Sequence, residues 1–127
     1  MSTLAARARR LLLAIDGVVE SGSAFTEDDA FWVNGKQVAH FRDDGLMQLR
    51  LTRAVISEQR SRLRADPRIE LRPGASDWVQ VRLTKTSDLA LLAELAEVAA
   101  AAHRPAPGVM AAPAPVGAAL ERRRRFH

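Results

Sequence analysis

The feature that most constrains the fold is the segment over residues 32–52, which reads WVNGKQVAHFRDDGLMQLRLT. Asn34-Gly35 separates two runs of strand-forming residues, and this pair favours a two-residue hairpin turn because both central positions need a positive φ. Asp43-Asp44-Gly45 indicates a second turn, since glycine tolerates the left-handed conformation. The segment therefore predicts three short consecutive antiparallel strands that are joined by two tight turns.

Alternation of side chains assigns two faces to this sheet. The third strand alternates strictly, and so does a later strand over residues 77–83. In the middle strand, Gln37 is predicted to point with Ala39, and Val38 with His40. The apolar face is predicted to carry Phe31, Val33, Ala39, Phe41, Met47, Leu49, Leu51, Val79, Val81 and Leu83. The opposite face is predicted to carry Trp32, His40, Arg42, Gln48, Arg50, Trp78, Gln80 and Arg82.

Helical periodicity supplies the cover for the apolar face. A first helix ends at Gly17, a second begins after Thr52 and ends before Pro67, and a third begins near Ser87. A short strand is predicted over residues 69–71. An antiparallel sheet with one apolar face needs helices on that face alone. The sequence thus predicts an α+β fold: a single antiparallel sheet of four to five strands with helices packed on one face, in the order α-β-β-β-α-β-β-α.

Composition excludes several classes of protein. The chain has 127 residues and no cysteine, so a disulfide scaffold, a thiolate nucleophile and a cysteine-type zinc site are excluded. No apolar run approaches the length of about 20 residues that crosses a bilayer. We therefore expect no membrane association, and a cytoplasmic location.

The positive charge belongs to the C-terminal segment. Residues 103–127 contain five arginines and one glutamate, which account for the whole formal net charge of +4. Alanine and proline dominate this segment, a composition that buries too little surface to offset the entropy of ordering. The sequence therefore predicts a compact α+β domain over residues 1–102 and a disordered tail over residues 103–127, which ends in the basic cluster Arg122, Arg123, Arg124 and Arg125.

The polar face of the sheet is the candidate functional site. A histidine titrates near neutral pH, so His40 is predicted to act as a base, while Arg42 and Arg50 stabilise the anion that forms. Aromatic rings stack on planar ligands. The predicted ligand-binding residues are Trp32, Trp78, Gln48, Gln80 and Arg82. A purely structural interpretation stays open, in which His40 is hydrogen-bonded to Asp43 or Asp44 and the arginines are solvated neighbours.

Five segments of the sequence resemble a known family. GKQVAH (35–40), DDG (43–45), LRLT (49–52), RPG (72–74) and SDWV (76–79), followed by the last helix, are similar to the small bacterial "luciferase domain" family, whose namesake is fungal luciferase. The likeness covers residues 27–102, and the element order more distantly resembles the MmcQ/YjbR-like fold. The resemblance implies oxidation of a hydroxy-pyrone by molecular oxygen without a metal or an organic cofactor.

One departure from the family pattern bears on metal binding. The family strand often reads His-x-His, whereas Arg42 stands at the second position here. The remaining histidines, His103 and His127, lie at the end of the last helix and in the tail. No metal site and no cofactor are therefore expected.

Two functions from different classes follow. In the first, the chain binds a small, planar, enolisable or phenolic compound around His40 and, if it is an enzyme, is a cofactor-independent oxygenase. In the second, the open Trp/Arg face and the basic tail form an interaction module for a protein partner or single-stranded nucleic acid. Residues 1–102 carry no net charge, so we expect nucleic acid to bind only weakly, through the tail arginines. A homodimer through the exposed sheet also stays open.

Overall fold

A computed structural model describes residues 3–24, 29–43 and 45–125 of the chain; Asp44 and His127, named above, lie outside these ranges. The strands are β1 (Val19–Gly22), β2 (Asp29–Val33), β3 (Lys36–Asp43), β4 (Leu46–Arg50), β5 (Ile69–Leu71) and β6 (Trp78–Arg82). The helices are α1 (Leu4–Leu13), α2 (Arg53–Glu58), α3 (Arg60–Ala65), α4 (Leu89–His103) and α5 (Ala118–Arg125), with a short 3-10 helix at Thr86–Asp88.

The strands form one antiparallel sheet in the order β1-β2-β3-β4-β6-β5, which confirms the predicted α+β fold. The sheet has six strands rather than four to five. The additional strand is β1, which pairs with β2 at the edge of the sheet. Its sequence, VESG, has no repeated alternation of apolar and polar residues, so periodicity could not identify it.

The described residues of both predicted turns have the backbone that their sequences require. Asn34 and Gly35 have φ values of 50° and 75°, as a two-residue hairpin turn of this kind needs. Gly45 has φ 75°, and a Cβ atom there would lie 2.6 Å from the carbonyl oxygen of Leu83. A glycine is therefore required at this position for its conformation and for the space that it leaves.

The core lies between the apolar face and the helices. All ten residues that were predicted for that face either belong to the core or pack against it. Helix α1 contributes Leu12, and α4 contributes Leu92 and Leu95, all with exposed fractions of 1% or less. The predicted second helix is divided at Gln59 into α2 and α3. Among the described residues, no helix is long and apolar enough to cross a membrane.

A β-bulge changes two of the predicted side-chain directions. Phe31 pairs with Ala39, but Trp32 pairs with Gln37, so Val38 is an extra residue in β3. Val38 consequently joins the core, and Gln37 lies in a buried polar group with His40. The prediction for Gln37 and Val38 was wrong because strict alternation assumes a ladder without inserted residues.

The C-terminal segment differs from the disordered tail that composition predicted. The backbone N–H of Ala112 donates to Asn34 Oδ1 at 2.8 Å, next to the β2–β3 turn. Beyond that contact, Leu120 of α5 packs with Ala24, Ala30 and Trp32 in a second apolar cluster. Helices therefore lie on both faces of the sheet rather than on one. A few residues of this segment, such as Ala112 and Leu120, contact the sheet and the β2–β3 turn. The overall composition of the segment does not reveal such individual contacts.

Candidate functional site

Helix α5 divides the polar face into a covered half and an open half. It lies over β1 and β2, where Arg124 Nε donates to the carbonyl of Ser23 at 2.9 Å and Arg123 Nη1 donates to that of Gly35 at 2.9 Å. Strands β4, β5 and β6 carry the open half. Two of the four arginines of the predicted basic cluster thus donate to carbonyl groups that adjoin strands, one in the β2–β3 turn and one directly after β1.

Trp32 belongs to the covered half and is 1% exposed. Its indole N–H donates to the carbonyl of Gly22 at 3.1 Å, and the Arg123 guanidinium lies 5.6 Å from the ring centroid. A ligand cannot stack on this ring while α5 is in place. The predicted pair of ligand-binding indoles is therefore reduced to Trp78, which is half-buried.

A row of polar side chains crosses four strands of the same face. His40 on β3 lies opposite Gln48 on β4, which lies opposite Gln80 on β6, which lies opposite Glu70 on β5. Gln80 Nε2 donates to Glu70 Oε2 at 3.0 Å, and Arg42 Nη1 donates to Gln80 Oε1 at 2.9 Å. Arg42 therefore stabilises the polar row through Gln80.

His40 is 5% exposed and lies among polar and aromatic side chains. Its ring centroid is 5.3 Å from that of Trp78, with the planes inclined at 60°, and its Nδ1 is 3.0 Å from Gln37 Nε2. Burial lowers the pKa of His40 below its ordinary value; a hydrogen bond with Gln48 opposes this shift, and the positive charge of Arg72 adds to it. At neutral pH the imidazole is therefore uncharged.

Arg50 lies opposite Trp78 and has an incompletely satisfied guanidinium group. Its Nη2 is 3.7 Å from Asp77 Oδ2, and within the described part of the chain its buried Nε has no hydrogen-bond partner. A buried donor without a partner costs about 1–3 kcal/mol. Asp77 is held in place because its Oδ1 accepts from the backbone N–H of Arg53 at 2.8 Å and its carbonyl accepts from that of Thr52 at 3.0 Å.

Thr52 has a strained backbone next to this group, with φ 85° and ψ 150°. This region of conformational space is essentially restricted to glycine, and a threonine there costs on the order of 1–3 kcal/mol. The side-chain oxygen of Thr52 caps α2 by accepting from the N–H of Val55 at 3.3 Å. Strain beside an unsatisfied buried donor is typical of a binding site.

The structure brings together six of the eight predicted site residues, and Trp32 and Arg82 lie outside this group. The six are His40, Arg42, Gln48, Arg50, Trp78 and Gln80. Arg82 lies at the opposite end of β6 from Trp78, where it pairs with Leu46. Sequence reasoning missed Gln37, because the bulge was not foreseen, and Arg72, because it lies on the loop after β5, where strand alternation gives no information. Among the described residues, no group of three His, Cys, Asp or Glu could hold a metal ion.

The shape of the open half suits a ligand that lies flat on the sheet. The crevice beside Trp78, which Arg72 and Ser76 also line, has a volume of only about 10 Å³. A larger cleft of about 480 Å³ lies at the ends of β2 and β3 near α1, and Arg42 and the ion pair of Arg9 and Glu20 line it. Trp78 and Arg50 are therefore the part of the site that a ligand can reach from the surface, whereas His40 itself is buried.

A family model described as "Luciferase domain" matches residues 35–99, which is more than half of the chain. The chain belongs to the luciferase-domain family. No curated protein and no solved structure matches it. The match extends from the β2–β3 turn into α4, so this luciferase domain includes His40, Gln48, Arg50 and Trp78, while β1, β2 and α5 lie outside it. The more distant MmcQ/YjbR-like resemblance is not confirmed.

Proposed function

We propose that this luciferase domain binds a small, planar, enolisable or phenolic compound on the open half of the polar face, with the ligand ring on Trp78. The observation that carries this proposal is the juxtaposition of a half-buried indole with Arg50, whose buried Nε has no hydrogen-bond partner among the described residues. An enolate or phenolate oxygen would accept from the guanidinium of Arg50, whose side chain is 30% exposed, and the planar ring would stack on the indole.

The electrostatics of the face favour an acidic ligand. Arg50 and Arg72 place positive charge near Trp78, and His40 remains uncharged. A buried or partly buried guanidinium stabilises the ionised form of an acidic hydroxyl, so an enol would bind with its proton removed. Oxidation of the bound enolate by molecular oxygen, without a cofactor, is the reaction that the family likeness suggests for this site.

The alternative function, an interaction module, is less well supported. That hypothesis needs exposed indoles and a free basic cluster. Trp32 is buried under α5, and Arg123 and Arg124 donate to the backbone carbonyls of Gly35 and Ser23. We therefore prefer the small-molecule site.

The test uses the two tryptophans separately. Trp32→Phe leaves Trp78 as the only indole, and its emission is followed while 4-hydroxy-6-methyl-2-pyrone or a phenolic enol is added, with affinity measured independently by calorimetry. Binding should change the Trp78 emission. Arg50→Met should weaken binding about tenfold to a hundredfold, as expected for one charge-assisted hydrogen bond.

The control is Arg10→Met, which removes the same charge from the exposed surface of α1. Its affinity should equal that of the parent. An affinity that Arg50→Met leaves unchanged, or the absence of any response across both compound classes, contradicts the proposal. Oxygen consumption with the same compounds then separates turnover from binding.

A further inference from the structure

Gln37 connects the main chain of the covered half with the imidazole of His40. Gln37 Oε1 is 2.7 Å from the backbone nitrogen of Ala24, and Gln37 Nε2 is 3.0 Å from Ser23 Oγ and 3.0 Å from His40 Nδ1. Ser23, Gln37 and His40 are all buried, with exposed fractions of 0%, 4% and 5%. Solvent therefore does not compete with this group of hydrogen bonds.

The backbone N–H of Ala24 fixes the orientation of the Gln37 amide. A backbone N–H can only donate, so the Gln37 atom that faces it is the carbonyl oxygen. The atom that faces His40 is consequently the amide nitrogen, which also can only donate. His40 Nδ1 must then be the acceptor, and the single proton of the neutral ring is carried by Nε2.

The other described neighbours of His40, namely Gln48, Arg72 and Trp78, agree with this assignment. Nε2 is the nitrogen left for the hydrogen bond with Gln48, so it donates to the Gln48 carbonyl oxygen. A second proton on Nδ1 would face the donating amide of Gln37 and would add charge near the Arg72 guanidinium. Trp78 on β6 contributes its ring rather than a charge.

We propose that Gln37 is a positioning residue that holds His40 as the neutral tautomer with its proton on Nε2. His40 is then a hydrogen-bond donor and not the base that the sequence predicted. Ala24 donates to Gln37, Gln37 donates to His40, and His40 donates to Gln48. The amide N–H groups of Gln48 are the last donors in this series. If the proposed function holds, the ligand atom that meets Gln48 is an acceptor, namely a carbonyl or enolate oxygen.

The tautomer is measured by nitrogen-15 NMR of the ligand-free protein, so this result does not depend on whether a ligand binds. His103→Gln and His127→Gln leave His40 as the only imidazole. Two-bond couplings between ring protons and ring nitrogens should show Nε2 protonated and Nδ1 unprotonated. A ring protonated on Nδ1 alone, or on both nitrogens at neutral pH, would falsify the proposal.

Gln37→Glu tests the positioning role. A carboxylate accepts from Nδ1–H, so this variant should move the proton to Nδ1 and raise the pKa of His40. Gln59→Glu makes the same change of charge at the end of α2 and should leave both properties unchanged. An identical tautomer in Gln37→Glu and the parent contradicts the proposal; should that variant not fold, the tautomer of the parent protein decides.

The acceptor specificity has a separate test. Gln48→Glu removes the donating amide, and it should weaken binding of 4-hydroxy-6-methyl-2-pyrone at least about tenfold. Asn34→Asp carries the same change of charge at the β2–β3 turn and should bind like the parent. Equal affinity of Gln48→Glu and the parent removes the donor role but leaves the proposed function intact. Failure of the parent itself to bind overturns the proposed function and this ligand assignment, while the NMR result for Gln37 stands.

Discussion

Replacement of Asp88 by alanine should destabilise the fold by about 3 kcal/mol. The carboxylate is 1% exposed, and its Oδ2 accepts from the backbone N–H groups of Thr84 at 2.8 Å and Lys85 at 3.1 Å. Two hydrogen bonds to a charged group, at about 1.5 kcal/mol each, give this value. Arg68 also donates to Asp88, but it adds less because its side chain is 37% exposed and solvent screens the charge.

The assay is thermal and urea denaturation at neutral pH. For 127 residues, an unfolding entropy of about 2.1 cal/mol/K per residue gives roughly 0.27 kcal/mol/K, so the melting temperature should fall by about 11 °C. Asp88→Asn keeps one acceptor oxygen and should lose roughly half as much stability. Asp16→Ala, at an exposed position, is the control and should stay within about 0.5 kcal/mol of the parent.

The effect of Asp88 should also depend on pH in a defined direction. The hydrogen bonds from Thr84, then from Lys85 and Arg68, lower the pKa of Asp88 below its ordinary value of 3.8, in spite of its burial. The unfolded chain therefore takes up this proton first as the pH falls, so the stabilisation is complete above the unfolded pKa and is lost below it. Two results would refute the reasoning. One is a decrease in the free energy of unfolding of Asp88→Ala that is under about 1 kcal/mol at neutral pH. The other is a difference in stability between the parent and Asp88→Ala that does not become smaller below pH 3.8.

Two further predictions concern the strained residue and the C-terminal helix. Thr52→Gly should be at least about 1 kcal/mol more stable than Thr52→Val in urea denaturation, because only glycine adopts this backbone without strain; equal stabilities would mean that the strain is absent. Leu120→Ala, in a Trp78→Phe protein whose only indole is Trp32, should shift the emission to longer wavelength and raise its quenching by acrylamide. Val116→Ala, at an exposed position, should leave the emission unchanged; an unshifted spectrum for Leu120→Ala would show that α5 does not cover the indole.

Local sequence signals determined most of the framework of this luciferase domain. The Asn34-Gly35 turn was predictable because few residue pairs tolerate two consecutive positive φ angles. The apolar face was predictable because alternation with a period of two reports directly which side chains are buried. The resemblance over His40, Arg50 and Trp78 also identified the family, and these residues do lie in one region of the sheet.

Only the tertiary structure decided which polar groups can act together. The extra residue Val38 arises from the pairing of β3 with β2, and it places Gln37 beside His40. The burial of Trp32 depends on Leu120, which is far away in the sequence. These features depend on contacts between segments that are distant in the sequence, and a local sequence pattern gives no information about such contacts. Turns and alternation depend on short-range sterics and on burial along a single strand, so the local sequence predicts them.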